Sequence, residues 1–181
     1  HRGRRPPPTE RVAESGGAEA PSQTLSLTIH PAGTGQDDVN QIPAPATGFH
    51  QPQTYLVSIG VGAYRDPNLT PRRFAATDAE TVAAYFQSLG GVPPSDVRLL
   101  HNQKALRADI HETLYGWLPQ HAAKDAVVIV YFSGQAMVTP SGDILLTLYD
   151  GNAGDSTRLY PLTDLESAFA RLKARQIIFL F

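Results

Sequence analysis

A glutamine in the second half of the chain lies where an α/β protein usually keeps its chemistry. Residues 125–136 spell DAVVIVYFSGQA, an apolar segment typical of a buried strand, which ends at Gly134 and delivers Gln135 just beyond. In an open α/β sheet, functional side chains gather outside the carboxyl ends of the strands. The amide of Gln135 can donate and accept hydrogen bonds, but it does not titrate. The sequence therefore predicts a site that binds or orients a group and does not transfer protons.

Other residues of types that bind metals or catalyse reactions can be explained without a functional site. His101, His111 and His121 recur at ten-residue intervals, but neither a helix nor a strand would gather three such positions around one metal ion. Asp150 and Asp155 flank the string GNAG, whose turn-forming residues account for them without a bound cation. The chain has no cysteine and therefore no thiolate ligand. We expect neither a metal site nor a cofactor.

Two further motifs are incomplete. Gly60-Val61-Gly62 follows an apolar run, yet the dinucleotide-binding pattern G-x-G-x-x-G would need glycine at the position of Arg65. No phosphate-binding P-loop is present, and Ser133 does not stand in the G-x-S-x-G turn of serine hydrolases. A nucleotide-binding α/β module is nevertheless one alternative for the function, and a nucleotide-dependent rise in melting temperature would favour it.

Apolar strand-like segments alternate with amphipathic helix-like segments from residue 53 onward. An apolar run begins at Tyr55 and ends in glycines, as a strand covered on both faces does. The remaining strand predictions are residues 97–100, 126–132, 144–148 and 176–181. With a helix between most of these segments, the order β-α-β-α-β-β-α-β predicts a doubly wound α/β fold whose mostly parallel sheet is flanked by helices.

The predicted helices are bounded by capping and breaking residues. Thr77-Asp78-Ala79-Glu80 and Thr163-Asp164-Leu165-Glu166 have the spacing of capping boxes, so helices are expected to begin at Thr77 and Thr163. Gly90 is expected to stop the first of these helices. A further helix is predicted over residues 107–118, with Pro119 ending or kinking it.

The composition divides the chain into a tail and a domain. Residues 1–52 carry a basic tip followed by proline- and glycine-rich stretches, which predicts a linker or tail, and the alternation in residues 24–30 predicts one strand within it. Residues 53–181 have the apolar content for a single core. Because the chain begins at His1 and not at methionine, we expect it to be an excerpt of a longer protein with other domains.

Charge and hydropathy exclude some classes of partner. A net charge of −2 and a pI near 6.3 favour neither nucleic acid nor an anionic membrane surface. The longest apolar run, residues 126–132, is far shorter than the roughly 20 residues of a membrane helix, so no membrane span is predicted. The lack of cysteine leaves the compartment open, with a slight preference for the cytoplasm.

Several strings in residues 53–181 resemble segments of the caspase and metacaspase superfamily, peptidase family C14. YLVSIGVGAYRDP resembles the first strand and its loop, and FAATDAE resembles the segment that ends in N-D-A. VIVYFSGQA is similar to the strand carrying the Y-F-S-G-H-G motif, and LYPLTDLESAF with QIIFLF resembles the helix and strand before D-x-C. The resemblance implies a caspase-like large-subunit domain that stops before the nucleophile strand ends.

The same resemblance argues against peptidase activity. The family uses a histidine to activate a cysteine and backbone amides to hold the oxyanion. Gln135 stands at the histidine position and Ala136 at the following glycine, while the family cysteine would lie just after Phe181 and is absent from this chain. A pseudo-peptidase that binds a peptide or protein, or acts as a scaffold, is therefore implied. The alternative is a metacaspase- or orthocaspase-like endopeptidase seen as an inactive variant or fragment.

Two residues are implied as parts of a substrate pocket, with opposite preferences. Asp78 matches the acidic residue that helps metacaspases receive a basic side chain, whereas Arg72 lies near the arginine with which caspases receive aspartate. Simpler roles exist for both. Asp78 would stabilise the first turn of a helix through the helix dipole, and Arg72 and Arg73 would lie in a solvated loop.

Overall fold

The computed structural model describes residue 48 and residues 53–181. The strand predicted at residues 24–30 lies outside the described residues, as does most of the predicted tail. The described part is built on a four-stranded parallel sheet with strand order β2-β1-β3-β7. Its strands are β1 (Thr54–Gly60), β2 (Val97–His101), β3 (Val127–Ser133) and β7 (Gln176–Leu180). These correspond to four of the five strands predicted within residues 53–181.

Helices cover both faces of this sheet. Helix α1 (Ala75–Ser88) packs Ala83 against Leu56 and Ile129 on one face. The other face is covered by a helical run made of α2 (Arg107–His111), a π-helical turn (Glu112–Trp117) and α3 (Leu118–His121), and by α4 (Leu162–Arg171). Because both inner strands are buried on two sides, their sequences are apolar without alternation. The predicted mixed α/β fold with a mostly parallel sheet is confirmed.

A small antiparallel sheet follows β3 directly. It has the order β4-β5-β6 and consists of β4 (Gln135–Val138), β5 (Ile144–Thr147) and β6 (Tyr160–Pro161). The turn predicted at Thr139-Pro140-Ser141-Gly142 connects β4 to β5, and β5 was predicted. Strands β4 and β6 were not, because one is largely exposed and the other has two residues.

Three predictions about helix ends are corrected. Helix α1 begins at Ala75 and α4 at Leu162, so Thr77 and Thr163 lie inside helices, and no side chain caps either N-terminus. Both capping-box predictions are wrong, because the N-cap positions are occupied by Phe74 and Pro161, whose side chains have no oxygen to accept from the first turn. Pro119 does not end its helix at once, because the helical run that begins at Arg107 continues through it to His121.

Among the described residues, no helix combines the length and apolar character that a membrane crossing requires.

Candidate functional site

Gln135 lies at the carboxyl edge of the parallel sheet. Strand β3 ends at Ser133, and after Gly134 the chain enters β4 at Gln135. The side chain is half-buried, and its Oε1 is shielded from solvent without a hydrogen-bond partner. An unpaired buried carbonyl oxygen costs about 1–3 kcal/mol. Among the described residues, Oε1 of Gln135 therefore remains an unsatisfied acceptor.

Tyr64 joins the loop after β1 to the start of β4. Its hydroxyl donates to the Val61 carbonyl at 3.1 Å. Burial raises the pKa of Tyr64, opposed by the nearby Arg72 guanidinium and by the hydrogen bond that the Gln135 N–H donates to the phenolic oxygen. Sequence reasoning missed this residue. Tyr64 stands two residues after Gly62, and that position alone does not indicate a role.

An acidic side chain reaches the same edge from α1. The Ser133 hydroxyl donates to Oδ2 of Asp78 at 3.4 Å, and both residues are half-buried. Ser133 is two residues before Gln135, so the carboxylate and the amide lie around the end of one strand. Asp78 also occupies the first turn of α1, where the helix dipole stabilises a negative charge. Its position therefore fits both roles that the sequence suggested.

Arg72 borders this group of residues. Its backbone N–H donates to the Gly62 carbonyl at 2.9 Å, and its guanidinium is close enough to influence the Tyr64 phenol. The side chain is exposed, unlike that of Asp78. Thus the structure brings the two proposed pocket residues to the same end of the sheet, but only Asp78 is held by a neighbouring side chain.

Ala136 lies in β4, paired with Leu146, and is exposed. In the described part of the chain, Asn102 is the sole residue other than glycine with a positive φ. Ala136 therefore adopts ordinary extended backbone, and no strain arises from alanine at this position.

Asn102 holds the loop after β1 in place. It adopts a left-handed conformation with φ of 46°, and its Oδ1 accepts hydrogen bonds from the N–H groups of Gly62 at 2.9 Å and Ala63 at 3.0 Å. Asparagine tolerates this conformation better than most residues. The sequence pattern did not indicate Asn102, because its partners lie about forty residues earlier in the chain.

An open cavity of about 650 Å³ lies beside the site, at the carboxyl ends of β3 and β7. Aromatic rings form much of its wall, and the rings of Phe132 and Phe181 stack with centroids 5.9 Å apart. Ser133 and Gly134 form its polar side. The cavity therefore offers an apolar surface that adjoins Ser133, the hydrogen-bond partner of Asp78.

The three histidines do not meet. His101 Nδ1 lies 3.3 Å from a Glu80 oxygen, His111 stacks on Tyr115, and His121 contacts a backbone carbonyl of its own helix. Within residues 53–181 and residue 48, no three histidine, cysteine or acidic side chains are grouped as a metal ion would require.

The glycines after β1 serve packing. A Cβ on Gly60 would collide with the Ala75 carbonyl oxygen, and one on Gly62 would lie 2.8 Å from the Arg72 carbonyl oxygen. Helix α1 begins only at Ala75, well beyond Gly62, so no helix N-terminus follows the strand as a dinucleotide site requires. The geometry therefore gives no support to the nucleotide-binding alternative.

Comparison with known proteins gave a family match and several matches to solved structures. The caspase domain model of the peptidase C14 family matches residues 55–180. The crystal structure of protein GSU0716 from Geobacter sulfurreducens superposes with a TM-score of 0.55 at 19% identity, covering 71% of this chain and 50% of that one. The chain thus spans about half the length of that protein, and at this identity the likeness concerns the fold alone. No curated protein matched.

Proposed function

Because the chain belongs to the caspase domain family, peptidase C14, we propose that residues 53–181 form a caspase-like domain that binds a peptide or protein without cleaving it. Residues 1–52 would connect it to other domains of a longer protein. The proposal rests on Gln135, which stands where the resemblance implies the family histidine. An amide cannot take a proton from a thiol, and loss of a general base typically costs about a hundred- to ten-thousandfold in rate.

The ligand that suits this site best is an extended peptide with a basic side chain. The Asp78 carboxylate is half-buried and contacts Ser133, so it is partly ordered before a ligand arrives. Arg72 is exposed and must lose side-chain freedom when it binds an acid. We therefore assign Asp78 the main role in recognising the peptide, through an ion pair with a lysine or arginine side chain of that peptide.

A binding assay tests this assignment. Fluorescence anisotropy would compare three labelled peptides that differ only in a central lysine, glutamine or glutamate. We expect the lysine peptide to bind most tightly and Asp78→Asn to weaken it by about tenfold. Glu80→Gln is the matched control, because Glu80 lies on the same helix but faces His101.

Two results would contradict the proposal. Tightest binding of the glutamate peptide, abolished by Arg72→Gln, would assign recognition to Arg72 instead. Cleavage of any of the peptides by the 181-residue chain, detected by mass spectrometry, would show that cleavage needs neither a histidine at position 135 nor a cysteine.

The second candidate function is a C14 endopeptidase seen as an inactive variant or fragment. Strand β7 runs parallel to β3, with Leu180 opposite Tyr131. Any residues after Phe181 would therefore emerge beside Ser133 and Gln135. This candidate predicts D-x-C at that point of the parent protein. It further predicts that Gln135→His in the longer chain restores cleavage, which a second substitution of that cysteine removes.

A further inference from the structure

A second cavity, which is polar, lies at the same end of the domain as Gln135. It has a volume of about 230 Å³ and lies between the loop after β1 and the loop after β5. The Arg65 N–H donates to the Tyr149 carbonyl at 2.9 Å, which holds the two loops together. The charged side chains that line the cavity are Arg65, Asp66, Asp150 and Arg158. Its ligand depends on which of these charges are already paired.

The two carboxylates are engaged by backbone N–H groups. Asp66 Oδ2 accepts from the N–H of Ala153 at 2.8 Å, and its Oδ1 accepts from the N–H of Asn68 at 2.9 Å. These bonds lower the pKa of Asp66 and use both of its oxygens. Asp150 Oδ1 accepts from the N–H of Arg107 at 3.1 Å. Both oxygens of Asp66 and one oxygen of Asp150 are therefore committed to holding the loops.

The two guanidinium groups keep their donors free. The central guanidinium carbon of Arg65 lies 5.8 Å from the centroid of the Tyr149 ring, and this guanidinium donates no hydrogen bond to another described residue. The Asp155 carboxylate accepts hydrogen bonds from the N–H and the hydroxyl of Thr157, while Arg158 interacts with it only through its charge. Neither arginine forms an ion pair among the residues that the structure describes. Two guanidinium groups beside one cavity suit an oxyanion.

We propose that this cavity is an oxyanion site that receives the carboxylate of an acidic residue in the bound peptide. The inference rests on the proposed peptide binding and extends it to a second side chain. Arg65 follows Tyr64, whose oxygen accepts the Gln135 N–H, so one short loop borders both sites. A peptide lying along this loop would place its basic side chain near Asp78 and an acidic side chain near Arg65.

The oxyanion site can be tested without any peptide. The side-chain Nε–Hε signals of the arginines would be followed by NMR during titration with glutarate and, separately, with inorganic phosphate. We expect saturable shifts at Arg65 and Arg158 with glutarate, lost in Arg65→Gln and in Arg158→Gln. Arg175→Gln is the control, because Arg175 is exposed and follows α4 in the sequence, whereas Arg65 and Arg158 precede it. Equal loss in the control, no saturation, or binding of phosphate alone would overturn the proposal.

A peptide series then tests the link between the two sites. Lysine peptides would carry either glutamate or glutamine at successive positions on each side of the lysine. We expect one glutamate position to tighten binding by about fivefold to tenfold, and Arg65→Gln to remove that gain without changing the glutamine peptide. A gain that persists in the Arg65→Gln, Arg158→Gln double variant would overturn the link. Failure of every peptide to bind would refute the proposed function, while the glutarate titration would still decide the oxyanion site.

Discussion

Asn102 shows how one residue fixes the backbone next to the site. Its positive φ favours asparagine or glycine, and its Oδ1 accepts from two consecutive N–H groups in the loop after β1. These two contributions can be separated by substitution. Asp keeps the acceptor, Gly keeps the conformational freedom, and Ala keeps neither.

We therefore expect Asn102→Ala to lower the free energy of unfolding by about 1–3 kcal/mol. Asn102→Gly should lower it less, and Asn102→Asp should remain nearest to the wild type. Urea denaturation followed by circular dichroism would measure the series. Equal destabilisation by Asp and Ala would show that the acceptor oxygen does not hold the loop.

Tyr160 gives the domain a pH dependence in the alkaline range. The residue is only 3% exposed, its hydroxyl has no hydrogen-bond partner among the residues that the structure describes, and burial raises its pKa to about 12. In the unfolded chain a tyrosine ionises near pH 10. The unfolded state therefore loses its proton first, and the free energy of unfolding should fall as the pH rises from about 10 to about 12.

Tyr160→Phe should lack this part of the alkaline loss, because phenylalanine has no proton to release. Urea melts of both proteins at a series of pH values, with ultraviolet titration of the phenolate, would measure it. A fall of the same size in Tyr160→Phe would assign the alkaline loss to other groups.

The elements were predictable where burial alone determines them. Strands β1 and β3 are buried on both faces, so their continuous apolar sequences identify them. The start of α1 was not predictable from its local sequence, because no capping side chain marks it and Ala75 lies there against the distant Gly60. Strand β4 was missed because three of its four residues are exposed, so no apolar pattern marks it.

That contact between β1 and α1 leads to a prediction about two glycines. A Cβ at Gly60 would collide with the Ala75 carbonyl and lie 2.7 Å from Ala79 Cβ, and backbone cannot move aside cheaply. We expect Gly60→Ala to destabilise the domain by about 1–3 kcal/mol. At Gly116, in the π-helical turn, the nearest atom is a flexible Glu112 oxygen at 3.4 Å.

Gly116→Ala should therefore have the opposite sign, because alanine favours helix over glycine by about 0.5–1 kcal/mol. Thermal melts of both variants, analysed with the same unfolding enthalpy, would measure the difference. Stabilisation by Gly60→Ala would contradict the close approach of β1 and α1.

At the scale of the whole domain, the site is assembled from distant parts of the chain. Gln135 could be found from the sequence, because polar residues that end a buried strand of an α/β sheet lie at its functional edge. Tyr64 and Asn102 could not, because their roles come from partners many residues away. The relation of Asp78 to Ser133 likewise spans 55 positions. The sequence could thus indicate candidate site residues, whereas only the structure shows which of them lie close together.

Arg107 connects the helical layer to the small sheet and to α4. Its guanidinium donates to the carbonyl oxygens of Thr157 at 3.3 Å and Leu159 at 3.2 Å, and it lies 3.4 Å from Asp164 Oδ2. It also lies over the Tyr160 ring, 5.5 Å from the centroid. One planar group therefore reaches the segment leading into β6 and the first turn of α4, which a lysine ammonium cannot reproduce.

We expect Arg107→Lys to lower the free energy of unfolding by about 1 kcal/mol, and Arg107→Met by somewhat more, because carbonyl acceptors lose their donor. The loss should be local: hydrogen exchange should speed up at Tyr160 and its partner Leu146 before it does in the parallel sheet. Arg175→Met is the control, because its exposed side chain should change neither quantity. If exchange instead accelerated equally in β1 and β3, Arg107 would stabilise the domain as a whole and would not specifically hold the small sheet against it.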